Sequence, residues 1–157
     1  MPSVLRRLFL IAALLSATSA AAQEDQAGSR DEAVAMVKRV QATFKADGPD
    51  ATFAAVTGQD PRFKDRDLYP FIYDFTGLSI AHGANAKMVG KMWINTKDQD
   101  GNFLIRTMIK TVQEPGTGSG WVNFKWPHPI SHKILSKSAY VERLGENLFV
   151  GVGIYTP

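Results

Sequence analysis

Lys137 and His82 are the two residues whose types and surroundings could do chemistry. Lys137 lies between Leu135 and Tyr140 in a segment that reads as a strand. An ammonium turned into a partly desolvated pocket suits a carboxylate, because a charge-assisted hydrogen bond is stronger than a neutral one. The alternative is a solvated strand lysine, the usual place for Lys. His82 ends the strand-like run Leu78-Ser-Ile-Ala-His82. A neutral imidazole can donate to a ligand oxygen, and it gains charge near pH ~6.5 when unperturbed. It can equally hold the following loop through a backbone hydrogen bond. Metal ligation fits poorly: His128 and His132 flank a Pro-broken turn, and no acid joins them at a metal-binding spacing.

Aromatic residues could wall such a pocket. Strand alternation puts Tyr69, Phe71 and Tyr73 on one face and Leu68, Ile72 and Asp74 on the other. It likewise separates Val122, Phe124 and Trp126 from Trp121, Asn123 and Lys125. An aromatic face is more often core than ligand wall. Yet the Tyr73 hydroxyl and the Trp126 indole N–H need partners when buried, which makes these two candidate walls. Met88 and Trp93 are apolar residues of an otherwise small-residue segment, 83–93, that could roof the pocket; gap filling is the plainer role for a Met there. Tyr140 falls on the face opposite Lys137, and only a bulge could bring both to one ligand. Gly151 and Gly153 alternate in the last strand and leave a smooth patch, for which close helix packing is the preferred explanation.

Catalytic patterns are missing. Asp98 and Asp100 sit in a loop, and Ser131-His132 has no orienting acid and no nucleophile elbow. The Gly116-Thr-Gly-Ser-Gly120 run lacks the lysine of a phosphate loop and leads into a strand.

The elements that must position these residues follow in order. Ser29 can cap a helix whose first turn holds Asp31 and Glu32, with Val34, Val37, Val40 and Phe44 at helical spacing. Gly48-Pro49 ends it and opens a shorter helix that stops at Gly58. Two strands come next, joined by the Asp74-Phe-Thr-Gly77 turn. Residues 93–97 read as a short strand or turn, residues 103–113 as a helix, and three further strands complete the chain. This order predicts one α+β domain: an antiparallel sheet of five to six strands with a long N-terminal helix on one face.

The chain has 157 residues and no cysteine, so disulfides, thiolate metal sites and Cys nucleophiles are excluded. Arg6-Arg7, an apolar run over 8–17 and Ala20-Ala21-Ala22 form a signal-peptide pattern, with cleavage expected before Gln23. The alternative is a retained anchor, for which the run falls short of the ~20 residues a bilayer needs. We therefore expect residues 1–22 to be a signal peptide, 23–30 a disordered leader and 31–157 a single domain. Cleavage lowers Lys+Arg from 18 to 16 against 15 Asp+Glu, a net charge near +1, so nucleic acid is not an expected partner.

Several segments, each weak alone, are specific in combination and order: Asp67-Leu-Tyr-x-Phe-Ile-Tyr-Asp74, Gly77-Leu-Ser-Ile-Ala-His82-Gly83, Met88-Val-Gly-Lys91, Gly120-Trp-Val-x-Phe-Lys-Trp-Pro127, Lys137-Ser-x-Tyr-Val141 and Val150-Gly-Val-Gly-Ile-Tyr155. Together they resemble the single Cache domain family, a PAS-like extracellular sensor fold, over about residues 31–155. The resemblance implies a module of chemoreceptors and sensor kinases that binds small organic ligands, commonly short carboxylates, with a lysine at the position of Lys137. No apolar span and no output module follow the domain here, so a soluble periplasmic binder is expected. Lys137 would neutralise a small organic acid, His82 and Tyr73 would hydrogen-bond it, and Trp126, Met88 and Trp93 would enclose it. A membrane receptor or sensor kinase is the expected protein partner. No cofactor is implied, nor a membrane span once the signal is removed. The rival expectation is an interaction protein of an envelope receptor complex whose pocket binds nothing.

Overall fold

In the computed structural model, residues 27–156 are described; the expected signal peptide and residues 23–26 of the expected leader lie outside them. Helix α1 spans Arg30–Asp47 and opens on a capping box. Ser29 Oγ accepts from Glu32 N at 3.2 Å, and Glu32 Oε2 accepts from Ser29 N at 2.7 Å, so two otherwise orphaned donors are satisfied. Gly48 closes α1, and Pro49 begins α2, Pro49–Thr57. Then come β1 (Pro70–Asp74), β2 (Ser79–His82), α3 (Leu104–Gln113), β3 (Ser119–Pro127), β4 (Ile134–Leu144) and β5 (Leu148–Thr156).

The described strands form one antiparallel sheet in the order β2-β1-β5-β4-β3, so the last strand lies at its centre. Alternation along these strands separates two cores. On the outer face, Ile72, Ala81, Val150 and Val152 pack with Ala33, Met36, Val37 and Val40 of α1. On the inner face, Phe71, Tyr73, Val122 and Phe149 pack with Leu104, Ile105, Met108 and Val112 of α3. The expected α+β architecture is present, and the sheet is covered on both sides.

Two local expectations change, and for residues 93–97 the alternative of strand or turn resolves to the turn. β1 starts at Pro70, not at Asp67, because Asp65 and Leu68 exchange backbone hydrogen bonds of 3.2 and 2.8 Å across a turn with Arg66 at φ 54°. Residues 93–97 form a turn, with Thr96 N donating to Trp93 O at 2.9 Å. The glycine patch of β5 faces the inner side, away from α1. A Cβ on Gly151 would collide with the Phe71 ring, and one on Gly153 with the aliphatic chain of Lys137. Side chains of neighbouring strands, not a helix, use the space.

Candidate functional site

Lys137 sits on the inner face of β4 with 2% of its surface exposed. Its Nζ donates to the Tyr69 hydroxyl at 2.7 Å and the Tyr155 hydroxyl at 3.2 Å. Tyr155 gives its single hydrogen to Pro127 O at 2.9 Å, so in the 3.0 Å contact between the two phenols Tyr69 is the donor. Two of the ammonium's three hydrogens are thereby used, and one remains for the cavity that Lys137 lines. The Nζ also lies 4.0 Å from the Tyr69 ring centre and 4.7 Å from that of Tyr155, where the ring faces favour a cation. Burial nevertheless pushes the ammonium down to about 7, and the charge of Asp67 only partly offsets this.

His82, at the end of β2, does two things at once. Its Nδ1 accepts from the backbone N–H groups of Ala84 and Asn85, at 3.3 and 3.1 Å, and so holds the start of the following loop. An Nδ1 that accepts carries no proton, so the neutral ring bears its hydrogen on Nε2. Burial, assisted by the Lys137 charge, lowers the imidazole to about 3. At neutral pH His82 is an uncharged donor on the cavity wall.

The cavity lies between the inner face of the sheet and α3. Tyr69, the residue before β1, lines it with Phe71 and Tyr73 of β1, with His82, with Phe124 and Trp126 of β3, and with Lys137; Leu104, Ile105 and Met108 of α3 form its roof. The cavity volume is about 20 Å³, room for roughly one water. Tyr73 stacks on Phe149 at 5.8 Å between ring centres, and burial raises its phenol well above the usual tyrosine range. Trp126 meets Phe124 edge to face at 6.2 Å.

Four of the six residues singled out from the sequence thus meet at one cavity: Tyr73, His82, Trp126 and Lys137. Met88 and Trp93 do not line it. The Trp93 indole donates to Met88 O at 3.1 Å, which ties the two to each other, and α3 takes the roof position instead. The sequence reading missed α3 as a roof, although its apolar residues 104, 105, 108, 109 and 112 mark one helical face. It also passed over Tyr69, whose buried hydroxyl raises the same need for a partner that singled out Tyr73. Tyr140 lies on the outer side, as alternation requires, and donates to Glu142 Oε2 at 3.0 Å.

Asp67, 1% exposed, joins three parts of the chain just outside the cavity. Its Oδ1 accepts from Gly28 N at 2.7 Å, and its Oδ2 lies 3.8 Å from His128 Nε2. His128 in turn packs edge-on against the Tyr155 ring at 4.7 Å. Among the described residues no three His, Asp or Glu side chains gather as a metal site would need, and no helix is long and apolar enough to cross a membrane.

Comparison with known proteins agrees with this architecture. The sensor histidine kinase MctS of Rhizobium johnstonii is 32% identical over 91 residues, which cover 57% of this chain and 19% of that protein. The match therefore spans about a fifth of that relative's length. A methyl-accepting chemotaxis protein from Vibrio parahaemolyticus shares the fold with a TM-score of 0.69 at 24% identity, over 80% of this chain and 86% of that one. A Cache chemosensory domain described for its carboxylic acid recognition shares it with a TM-score of 0.63 at 23% identity, over 81% and 88%. The family model described as Single Cache domain 2 matches residues 11–157, and the chain belongs to the single Cache domain family.

Proposed function

We propose that this chain is a periplasmic sensing module that takes a carboxylate of roughly two to four carbons against the Lys137 ammonium. The observation that carries this is the buried Nζ: two of its hydrogens are held by phenols, and the third is left for an apolar-walled cavity. The Nε2–H of His82 supplies a second donor, so the polar atoms here match the acceptor-only character of a carboxylate. Residues 1–22 direct export and are removed, and residues 31–157 act as one domain. The likeness to a sensor kinase and to a carboxylic-acid-recognising Cache domain supports the same reading. A membrane receptor or sensor kinase receives the signal.

The cavity as it stands takes about one water, so an acid requires it to widen, which in this reading is an outward movement of its roof, α3. Ligand binding then favours the opened arrangement by its difference in affinity for the two states. Titration calorimetry and thermal shift with acetate, propanoate and butanoate test the proposal. Binding is expected for the wild type and lost in Lys137→Met. The small cavity also favours a second reading, an interaction protein of an envelope complex that uses no ligand. It predicts no response to any acid and a stable complex with a partner protein.

A further inference from the structure

The cavity wall carried by β1 and the residue before it is polar, then apolar, then polar again. Tyr69 stands at the Lys137 end, Phe71 in the middle and Tyr73 beyond it, all lining the same space. The Tyr73 and Phe71 ring centres are 6.0 Å apart, and Lys137 Nζ is 5.7 Å from that of Phe71 on the other side. Each pair of strand residues advances the wall by about 6.8 Å. Across the β1–β2 pairing, the residue opposite Tyr73 is Ser79. Ser79 is 1% exposed, and among the described residues its Oγ is the one buried side-chain nitrogen or oxygen without a hydrogen-bond partner. An unmet buried hydroxyl costs stability. Ser79 does not itself line the cavity, but its hydroxyl lies close enough to the cavity-lining Tyr73 phenol to lower it against the larger effect of burial, so the two hydroxyls form a second polar station with Ser79 behind the wall. Both groups there are neutral, and each can donate and accept.

We propose that the ligand is two-ended: a monocarboxylate whose chain carries an uncharged oxygen, hydroxyl or carbonyl, on the third carbon. This rests on the carboxylate reading of the site. The carboxylate meets Lys137 and His82, the carbon chain crosses Phe71 beneath α3, and the distal oxygen meets the Tyr73 hydroxyl, which Ser79 backs. An oxygen on the second carbon sits beside the carboxylate, at the Lys137 end, rather than along the chain toward Tyr73. A second carboxylate would be buried against neutral hydroxyls with no cation to pair it, which disfavours diacids.

Calorimetry with four probes decides the matter: butanoate, 2-hydroxybutanoate, 3-hydroxybutanoate and butanedioate. The 3-hydroxy acid is expected to bind about tenfold tighter than butanoate and than its 2-hydroxy isomer, the scale of one buried hydrogen bond. Butanedioate should bind weakest. Ser79→Ala should reduce the advantage of the 3-hydroxy acid and leave butanoate unchanged. Since it removes an unpartnered hydroxyl, this variant should melt no lower than the wild type; Tyr73→Phe provides a second, independent removal. Equal affinity for butanoate and 3-hydroxybutanoate would overturn the two-ended ligand while keeping the carboxylate site. A preference that survives in both variants would also overturn it. Failure of all four acids to bind would remove both.

Discussion

Gly153 of β5 is what allows Lys137 of β4 to lie down over the neighbouring strand. A Cβ on Gly153 would overlap the lysine Cε and crowd its Cγ at 3.0 Å and Cδ at 3.2 Å. The lysine chain thus fills the space of an absent side chain, and its Nζ is delivered to Tyr69 and Tyr155. The conflict is with a well-packed interior, where extra volume costs about 1–3 kcal/mol. Gly153→Ala should therefore lower stability by that order and, by displacing Nζ, weaken carboxylate binding more than a surface change of equal destabilisation. Denaturant unfolding and calorimetry on the same samples check both effects.

Lys137 also sets a pH dependence of stability. Its folded value, near 7, lies below the unfolded value near 10.4. Between these limits the unfolded chain binds the proton and the folded chain does not, so raising the pH favours folding. The ligand-free protein should gain up to about 1.4 kcal/mol per pH unit from pH ~7 to ~9, with less below pH ~7. Lys137→Met keeps a similar volume without the charge, so it should flatten this slope and raise stability at pH 7. Urea titrations across that range supply the measurement.

The same group makes ligand binding proton-linked. A bound carboxylate raises the lysine above its free value, so binding above pH ~7 takes up a proton and affinity falls as the pH rises. Titrations in buffers of different ionisation enthalpy at pH 8 should reveal an uptake approaching one proton. A pH-independent affinity between 6 and 9 would contradict it.

Much of this arrangement was legible in the chain, for reasons that differ by residue. The period-2 pattern around Tyr69, Phe71 and Tyr73 fixed which side chains share a face, and the same rule set Tyr140 apart from Lys137. The Ser29 and Gly48 signals marked both ends of α1 because capping is local chemistry. The roof was not legible, since Met88 and Trp93 and the apolar face of α3 are equally apolar in sequence. Only the tertiary path decides which of them covers the sheet. The glycine patch misled for a related reason: a bare stretch of strand shows that something approaches, not whether it is a helix or a lysine from the next strand.

His82 separates loop support from ligand contact. Its Nδ1 is the acceptor for two backbone N–H groups, and His82→Ala leaves both without a partner. That substitution should cost about 1–3 kcal/mol and speed hydrogen exchange at Ala84 and Asn85. His82→Asn keeps an acceptor near the same place and loses the cavity-facing ring. It should protect those amides yet still weaken acid binding. The imidazole, lowered to about 3, also adds stability that is full above pH ~6.5 and fades as the pH falls toward ~3. The Asn variant should lose that acid sensitivity.

Asp67 offers a test of how the pocket's charge is maintained from outside it. Its carboxylate favours the charged form of Lys137, while Oδ1 anchors Gly28 N and Oδ2 faces His128. Asp67→Asn keeps an oxygen that can accept from Gly28 N and removes the negative charge. With that support gone, burial acts unopposed on Lys137, and the ammonium moves further below about 7. Less of the protein then carries the charged lysine at pH 7.5, so carboxylate affinity there should drop several-fold. At pH 6, where protonation is more nearly complete, the wild type and the variant should converge. Loss of affinity by the same factor at both pH values would instead mean that Asp67 acts by holding the Gly28 segment in place. Hydrogen exchange at Gly28 distinguishes the two, since an anchored amide stays protected in the Asn variant.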